Sequence, residues 1–156
     1  MIKLIDILNE GVYDPGIFKA VFMAGGPGSG KGYAAKTLLG MPETMPFVSA
    51  NGLKGVNSDS AYEAYLKNHG MNADMTKMSP EEFAKSQELR TKAKRVVAKK
   101  MISFVNAKLG LLIDGTAKDY SKIANLVKKL KEQGYDCYMI FVNTDLEVAL
   151  AKKGSC

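Results

Sequence analysis

Gly25-Gly26-Pro27-Gly28-Ser29-Gly30-Lys31-Gly32 lies between a β-prone run, residues 17–24 (IFKAVFMA), and the helix formers Ala34, Ala35, Lys36, Leu38 and Leu39. The order strand, glycine-rich loop, helix decides the reading of the fold. Glycines let successive backbone N–H groups turn inward around an anion without Cβ clashes, and the helix that follows aims its positive end at the same point. The spacing G-x-x-x-x-G-K adds Lys31, whose ammonium reaches β and γ phosphates as a point charge. Binding of a nucleoside triphosphate, ATP with Mg²⁺, is the expectation. The candidate contacts are Gly25, Gly26, Gly28, Ser29, Gly30, Lys31, Gly32 and Tyr33. The alternative, a glycine-rich turn with an incidental lysine, leaves the flanking strand and helix unexplained.

Outward from the loop, a connector over 41–46 leads to a weak strand near 53–57, and Ser58 or Asp59 is expected to cap a short helix through Lys67. Ser79-Pro80-Glu81-Glu82 combines an N-cap, a proline at the first helical position and a glutamate at the third, which starts a long helix reaching towards Leu109. Val97, Met101, Phe104 and Val105 keep helical spacing on it and form its core-facing stripe. Leu111-Leu112-Ile113-Asp114 is an apolar run closed by a carboxylate, as in a parallel strand buried on both faces. A helix over 120–133 stops at Gly134, residues 137–142 (CYMIFV) form another buried strand, and Thr144-Asp145-Leu146-Glu147 opens a last helix. Alternating strands and helices predict an α/β fold of the P-loop NTPase type, a doubly wound parallel sheet flanked by helices. The organisation expected is a short N-terminal helix and linker over 1–16, then one core domain over 17–156.

Two carboxylates belong to the expected chemistry. Asp114, at a strand end followed by Gly115-Thr116, looks like a Walker B carboxylate and is the candidate metal ligand, with capping of the next helix as its alternative role. Asp59 follows the second strand and is the candidate base for an acceptor hydroxyl, with helix capping as its alternative role. Lys31, Asp59 and Asp114 are thus the catalytic candidates. Arg90 and Arg95, on the long helix, are candidate contacts to the acceptor together with Asp59. His69, beside Gly70 at a helix end, reads as a surface residue. The position after the loop lysine usually carries a Ser or Thr hydroxyl for Mg²⁺; here it is Gly32, then Tyr33, whose hydroxyl has a different reach, and the sequence does not name the ligand that replaces the usual hydroxyl, water being one candidate.

The formal charge of +6 is carried by lysines, Arg90 and Arg95 being the only arginines, and lysines spread along amphipathic segments usually form solvated helix faces. No block of aromatics interleaved with arginine marks a dedicated nucleic-acid surface. Cys137 and Cys156 lack the spacing of a metal site or a disulfide framework. With no long apolar run and no signal peptide, no membrane association is expected and the cytoplasm is the default compartment.

GGPGSGKG, the VNSD segment (56–59), LLIDGT (111–116) and GYDCYMIFVNTDLEVA (134–149) together resemble small phage-encoded P-loop kinases of the zeta-toxin-like group. The resemblance covers nearly the whole chain. It implies that Asp59 acts on the acceptor and that Lys31 holds the γ-phosphate, so the function expected is transfer of the γ-phosphate of ATP to an acceptor hydroxyl. A sugar nucleotide, a nucleotide, a polynucleotide end or a protein hydroxyl all fit that role. The loop also resembles that of adenylate kinases, which keeps open a nucleoside monophosphate kinase or a catalytically impaired ATP-binding module. The family pattern continues past the DLEVA helix into an arginine-bearing lid and a last strand, so a C-terminally incomplete core is expected here.

Overall fold

The computed structural model describes residues 16–42, 48–72, 74, 78–115 and 119–145. The N-terminal helix expected before residue 16, Thr116 and the last helix beyond Asp145 lie outside these residues. In chain order the elements are β1 (Lys19–Ala24), α1 (Lys31–Leu39), β2 (Lys54–Val56), α2 (Ser58–Asn68), α3 (Pro80–Asn106), β3 (Leu111–Asp114), α4 (Tyr120–Glu132) and β4 (Asp136–Phe141).

The four strands form one sheet in the order β2-β3-β1-β4, with β1 parallel to both of its neighbours. The expected α/β fold is therefore present. Parallel strands cannot be joined by tight turns, and the helices between them supply the crossovers. From β1 the chain moves to β2 on one side, and it reaches β4 on the other. The reversal falls at the carboxyl end of β1, where ligands of open parallel sheets collect.

The described chain divides into two compact units, one from residues 1–55 and 104–156 and one spanning Val56–Ser103. In the first, Met23, Leu53 and Leu112 pack with Ala35 and Met41 into a buried cluster, flanked by Val21, Leu39 and Ile140. Burying each large side chain there contributes roughly 1.5–3 kcal/mol. The Tyr135 hydroxyl, pushed up in pKa by burial, donates to Leu109 O at 2.9 Å, and Phe18 stacks at a tilt on its ring. In the second unit Tyr62, Leu66, Leu89 and Ala93 form their own cluster, with Tyr65, Met71 and Met78 against it.

Three sequence expectations are corrected. The cap of α2 is Asn57, whose side chain accepts from the N–H groups of Asp59 and Ser60, rather than Ser58 or Asp59. The most deeply buried face of α3 is Ser86, Leu89 and Ala93, while Val97, Met101, Phe104 and Val105 are half-buried on the same helical period. And among the described residues β4 is the edge of the sheet, with Tyr138, Met139 and Phe141 exposed, where an apolar run had predicted a buried strand. Composition alone does not tell an edge strand from a central one.

Candidate functional site

The glycine-rich loop joins the carboxyl end of β1 to the amino end of α1. Val142 N donates to Ala24 O at 2.8 Å and Gly115 N to Met23 O at 3.2 Å, so the chain segments following β4 and β3 are tied to the root of the loop. Thr144 adds a third tie, its Oγ1 donating to Ser29 O at 2.6 Å. Thr144 was expected only to open a helix; its position just past a strand end is the signal that marks it as a brace. At Gly25, with φ 155°, an added Cβ would stand 2.6 Å from Ser29 Oγ and 2.7 Å from Val142 O. A side chain there would collide with backbone that holds the loop.

Gly30 precedes α1 with φ 88° and ψ 19°, a left-handed conformation that glycine adopts without strain. The consequence is a helix start with no side-chain cap and no acidic residue in its first turn. The first amides of any α-helix lack intrahelical acceptors, and uncapped they carry the positive end of the helix dipole. Ser29 Oγ, buried within the loop, has no hydrogen-bond partner among the described residues. An oxyanion seated in the loop would satisfy these donors together. The Lys31 ammonium, at the first helical position, donates to Gly25 O and Gly26 O at 2.9 Å each, folded back over the loop it serves.

Tyr33 is 74% exposed and Gly32 has open space where a Cβ would stand. Gly32 is thus not demanded by packing. Asp114 ends β3 directly beside Met23 of β1, one residue from the root of the loop, and its Oδ1 is buried. Among the described residues no group of three or more His, Cys, Asp or Glu side chains converges as a metal cage. Mg²⁺ is commonly held by one or two carboxylates, substrate phosphates and water. Asp114 would hold it, with the phosphates supplying further oxygens.

The first unit thus brings together the loop, Lys31 and Asp114. Asp59, Arg90 and Arg95 belong to the second. There Asp59 stands exposed in the first turn of α2, and because Asn57 does the capping, its carboxylate accepts no hydrogen bond among the described residues. Arg90, on α3, packs its guanidinium 5.7 Å from the ring centroid of Tyr62 on α2. Arg95 is exposed on another face of α3, beside Gln87, Thr91 and Lys92. His69 caps the end of α2, its Nδ1 2.8 Å from Tyr65 O, a structural position as expected. Tyr62 had no sequence signal of its own, since a tyrosine on an amphipathic helix reads as core. No helix among the described residues is long and apolar enough to cross a membrane.

Comparison with known proteins agrees with this architecture. A candidate kinase from Chloroflexus aurantiacus superposes with a TM-score of 0.58 at 14% identity, over 90% of this chain and 67% of its own. A structure from the PezAT chromosomal toxin–antitoxin system of Streptococcus pneumoniae gives 0.61 at 18% identity, over 86% of this chain and 50% of its own. A chain of the Pnkp1/Rnl/Hen1 RNA repair complex gives 0.58 at 16% identity, over 90% of this chain and 38% of its own. This chain therefore spans between about two fifths and two thirds of the length of those structures, and the likeness establishes the fold. No curated protein matches the sequence. Residues 14–152 match the family described as Zeta toxin, and on that match the chain belongs to the zeta toxin family.

Proposed function

We propose that the chain is an ATP-dependent phosphotransferase that moves the γ-phosphate of ATP to an acceptor hydroxyl. The observation that carries the reading is the uncapped start of α1, where loop amides, the buried Ser29 hydroxyl and the Lys31 ammonium converge beside Asp114. In this reading the amides and Lys31 hold the β and γ phosphates and offset the charge that builds on the transferring group. Asp114 would hold Mg²⁺, which would offset charge on the phosphates. Asp59 takes the proton of the acceptor hydroxyl; the acceptor oxygen bonds to the γ-phosphorus as the bridging bond to ADP breaks. The free carboxylate of Asp59 supports that role, since capping is left to Asn57. Arg90 and Arg95 are assigned to the acceptor.

Calorimetry with Mg-ATP, followed by transfer from radiolabelled ATP to a panel of sugar nucleotides, nucleotides, polynucleotide ends and proteins, tests the proposal. Saturable binding with label transferred to one class supports it, and binding without transfer to any acceptor tells against catalysis. A second reading, an ATP-binding module without turnover, is favoured by Gly32, which denies the metal its usual hydroxyl ligand. Restoring the hydroxyl separates the two: Gly32→Thr raises the transfer rate of an enzyme and leaves a binding module inert. A nucleoside monophosphate kinase would instead show competition by one monophosphate.

A further inference from the structure

Ser29 stands where the glycine-rich loop passes from its own turn into α1, and the peptide that follows it is held by neither. On the loop side Ser29 N donates to Gly26 O at 3.2 Å across Pro27 and Gly28, and Gly28, at φ 76°, gives that pair the signs of a type II turn. On the helix side the carbonyl of Gly30 is already in use, accepting from Ala34 N at 2.9 Å. Ser29 O lies between the two and accepts instead from Thr144 Oγ1 at 2.6 Å, a residue 115 positions away in sequence. Thr144 is half-buried and follows β4, the strand beside β1, so its hydroxyl reaches the loop from a neighbouring strand end.

A trans peptide is planar and points its C=O and N–H in opposite directions. Holding Ser29 O towards Thr144 therefore turns the Gly30 N–H the other way, and among the described residues that N–H has no acceptor. Turning the same peptide over would cost little backbone strain, since the change falls chiefly on ψ of Ser29 and φ of Gly30, and glycine takes φ of either sign. Gly30 itself stands at φ 88°. The loop's own residues thus leave this amide able to face either way, and a hydroxyl from beyond β4 selects one direction. We propose that Thr144 is a positioning residue for nucleotide binding: by holding Ser29 O it keeps the Gly30 N–H turned to the phosphate side of the loop. Thr144 touches no phosphate in this assignment and acts through the Ser29–Gly30 peptide. The assignment rests on the reading of the loop as a nucleoside triphosphate site.

Two variants test it. Thr144→Val keeps the branched shape and removes the hydroxyl, while Thr144→Ser keeps the hydroxyl. Three signals are read on each and on the wild type: the ¹⁵N amide resonance of Gly30 in the free protein, Mg-ATP affinity by calorimetry, and the thermal midpoint. In Thr144→Val the Gly30 resonance should shift or broaden as the peptide samples both directions, and Mg-ATP should bind about three- to tenfold more weakly, the range that one intramolecular hydrogen bond supports. Thr144→Ser should return both the resonance and the affinity towards wild type, which a loss of packing would not do. An unmoved Gly30 resonance in Thr144→Val, or a serine variant as weak as the valine one, would each overturn the assignment. A lower midpoint with unaltered affinity would also overturn it, leaving Thr144 a structural brace. A wild type that binds no Mg-ATP would reject the nucleotide reading and this assignment with it, an outcome distinct from a wild type that binds and a Thr144→Val protein that binds equally well.

Discussion

The starts of α1 and α3 solve one problem in opposite ways. At α3 the Ser79 N–H donates to the Glu82 carboxylate at 2.8 Å while the Glu82 N–H donates to Ser79 Oγ at 3.2 Å, and Glu81 adds a second acid to the turn. At α1 there is a left-handed glycine, no capping side chain, no acid, and a lysine at the first position, where positive charge opposes the helix dipole. α2 and α4 side with α3, capped by Asn57 and Asp119. Three helices are finished by their own sequence, whereas the first amides of α1 are left without a side-chain acceptor. The difference teaches where the fold forgoes local stability, and each prediction below either breaks that contrast or sharpens it.

The largest effect is expected where a capping residue frees a neighbour for chemistry. Asp59→Asn should lower phosphoryl transfer by about 10²- to 10⁴-fold, the usual contribution of a general base, with Mg-ATP affinity unchanged and stability lowered by no more than the roughly 0.3–1 kcal/mol of an acid in a first helical turn. Asn57→Ala should show the reverse, a stability loss of about 1 kcal/mol from the missing cap. Chemical denaturation and single-turnover kinetics on the pair check this, and a large stability loss in Asp59→Asn would return the carboxylate to a structural role. Next comes Lys31→Ala, expected to reduce transfer by about 10²- to 10³-fold, as loss of one preorganised donor commonly does. Because Lys31 stands at the positive end of α1, the free protein should not be destabilised by its removal; a drop in midpoint would mean that its bonds to Gly25 O and Gly26 O hold the loop together.

A smaller and more pointed effect is expected at Gly32, where a side chain meets no neighbouring atom within 4 Å. Gly32→Glu places an acid in the first turn of α1 and so makes it resemble α3. The free protein should gain about 0.3–1 kcal/mol from the helix dipole, and more from replacing a helical glycine. Nucleotide affinity should fall at least tenfold, about 1.4 kcal/mol, because the new carboxylate repels the phosphates. Thermal unfolding and calorimetry on one sample read both signs. A variant that is stabilised and binds Mg-ATP undiminished would show that the phosphates do not sit at this helix end.

The contrast between the helix starts was largely legible in the sequence. Glycines at fixed spacing, a preceding β-prone run and Ser79-Pro80-Glu81-Glu82 each state a backbone requirement that few other conformations meet. Other features were not legible, for physical reasons. Asn57, Ser58 and Asp59 are all good caps, and only the path of the backbone selects among them. The apolar run over 137–142 is compatible with a central or an edge strand, and sheet order, which depends on long-range pairing, makes it an edge. The buried stripe of α3 passes through Ser86, a polar residue satisfied by donating to Phe83 O at 2.7 Å, which hydrophobic spacing does not register. Arg90 could be singled out as a charge, but its stacking on Tyr62 comes from two helices meeting.

The smallest predicted effect concerns pH at the capped helix. Hydrogen bonds from the backbone and then the side chain of Ser79 hold the Glu82 carboxyl below its ordinary pKa, although it is exposed to solvent. A carboxyl whose pKa is lower in the folded than in the unfolded chain stabilises the fold at pH values above the unfolded pKa, and that contribution is lost as pH falls through the folded one. Glu82→Ala should therefore unfold more easily than wild type at neutral pH, and the gap should close as the pH is lowered through the ordinary glutamate range and beyond. Ser79→Ala, removing a cap of about 1 kcal/mol, should in addition move the Glu82 titration back towards the ordinary value, as read by NMR of its carboxyl carbon. The start of α1 has no acid in its first turn to titrate in this range. Adding phosphate ligand there should leave the acid dependence of α3 untouched, and a shift of the Glu82 titration on nucleotide binding would show that the two helix ends are coupled rather than independent.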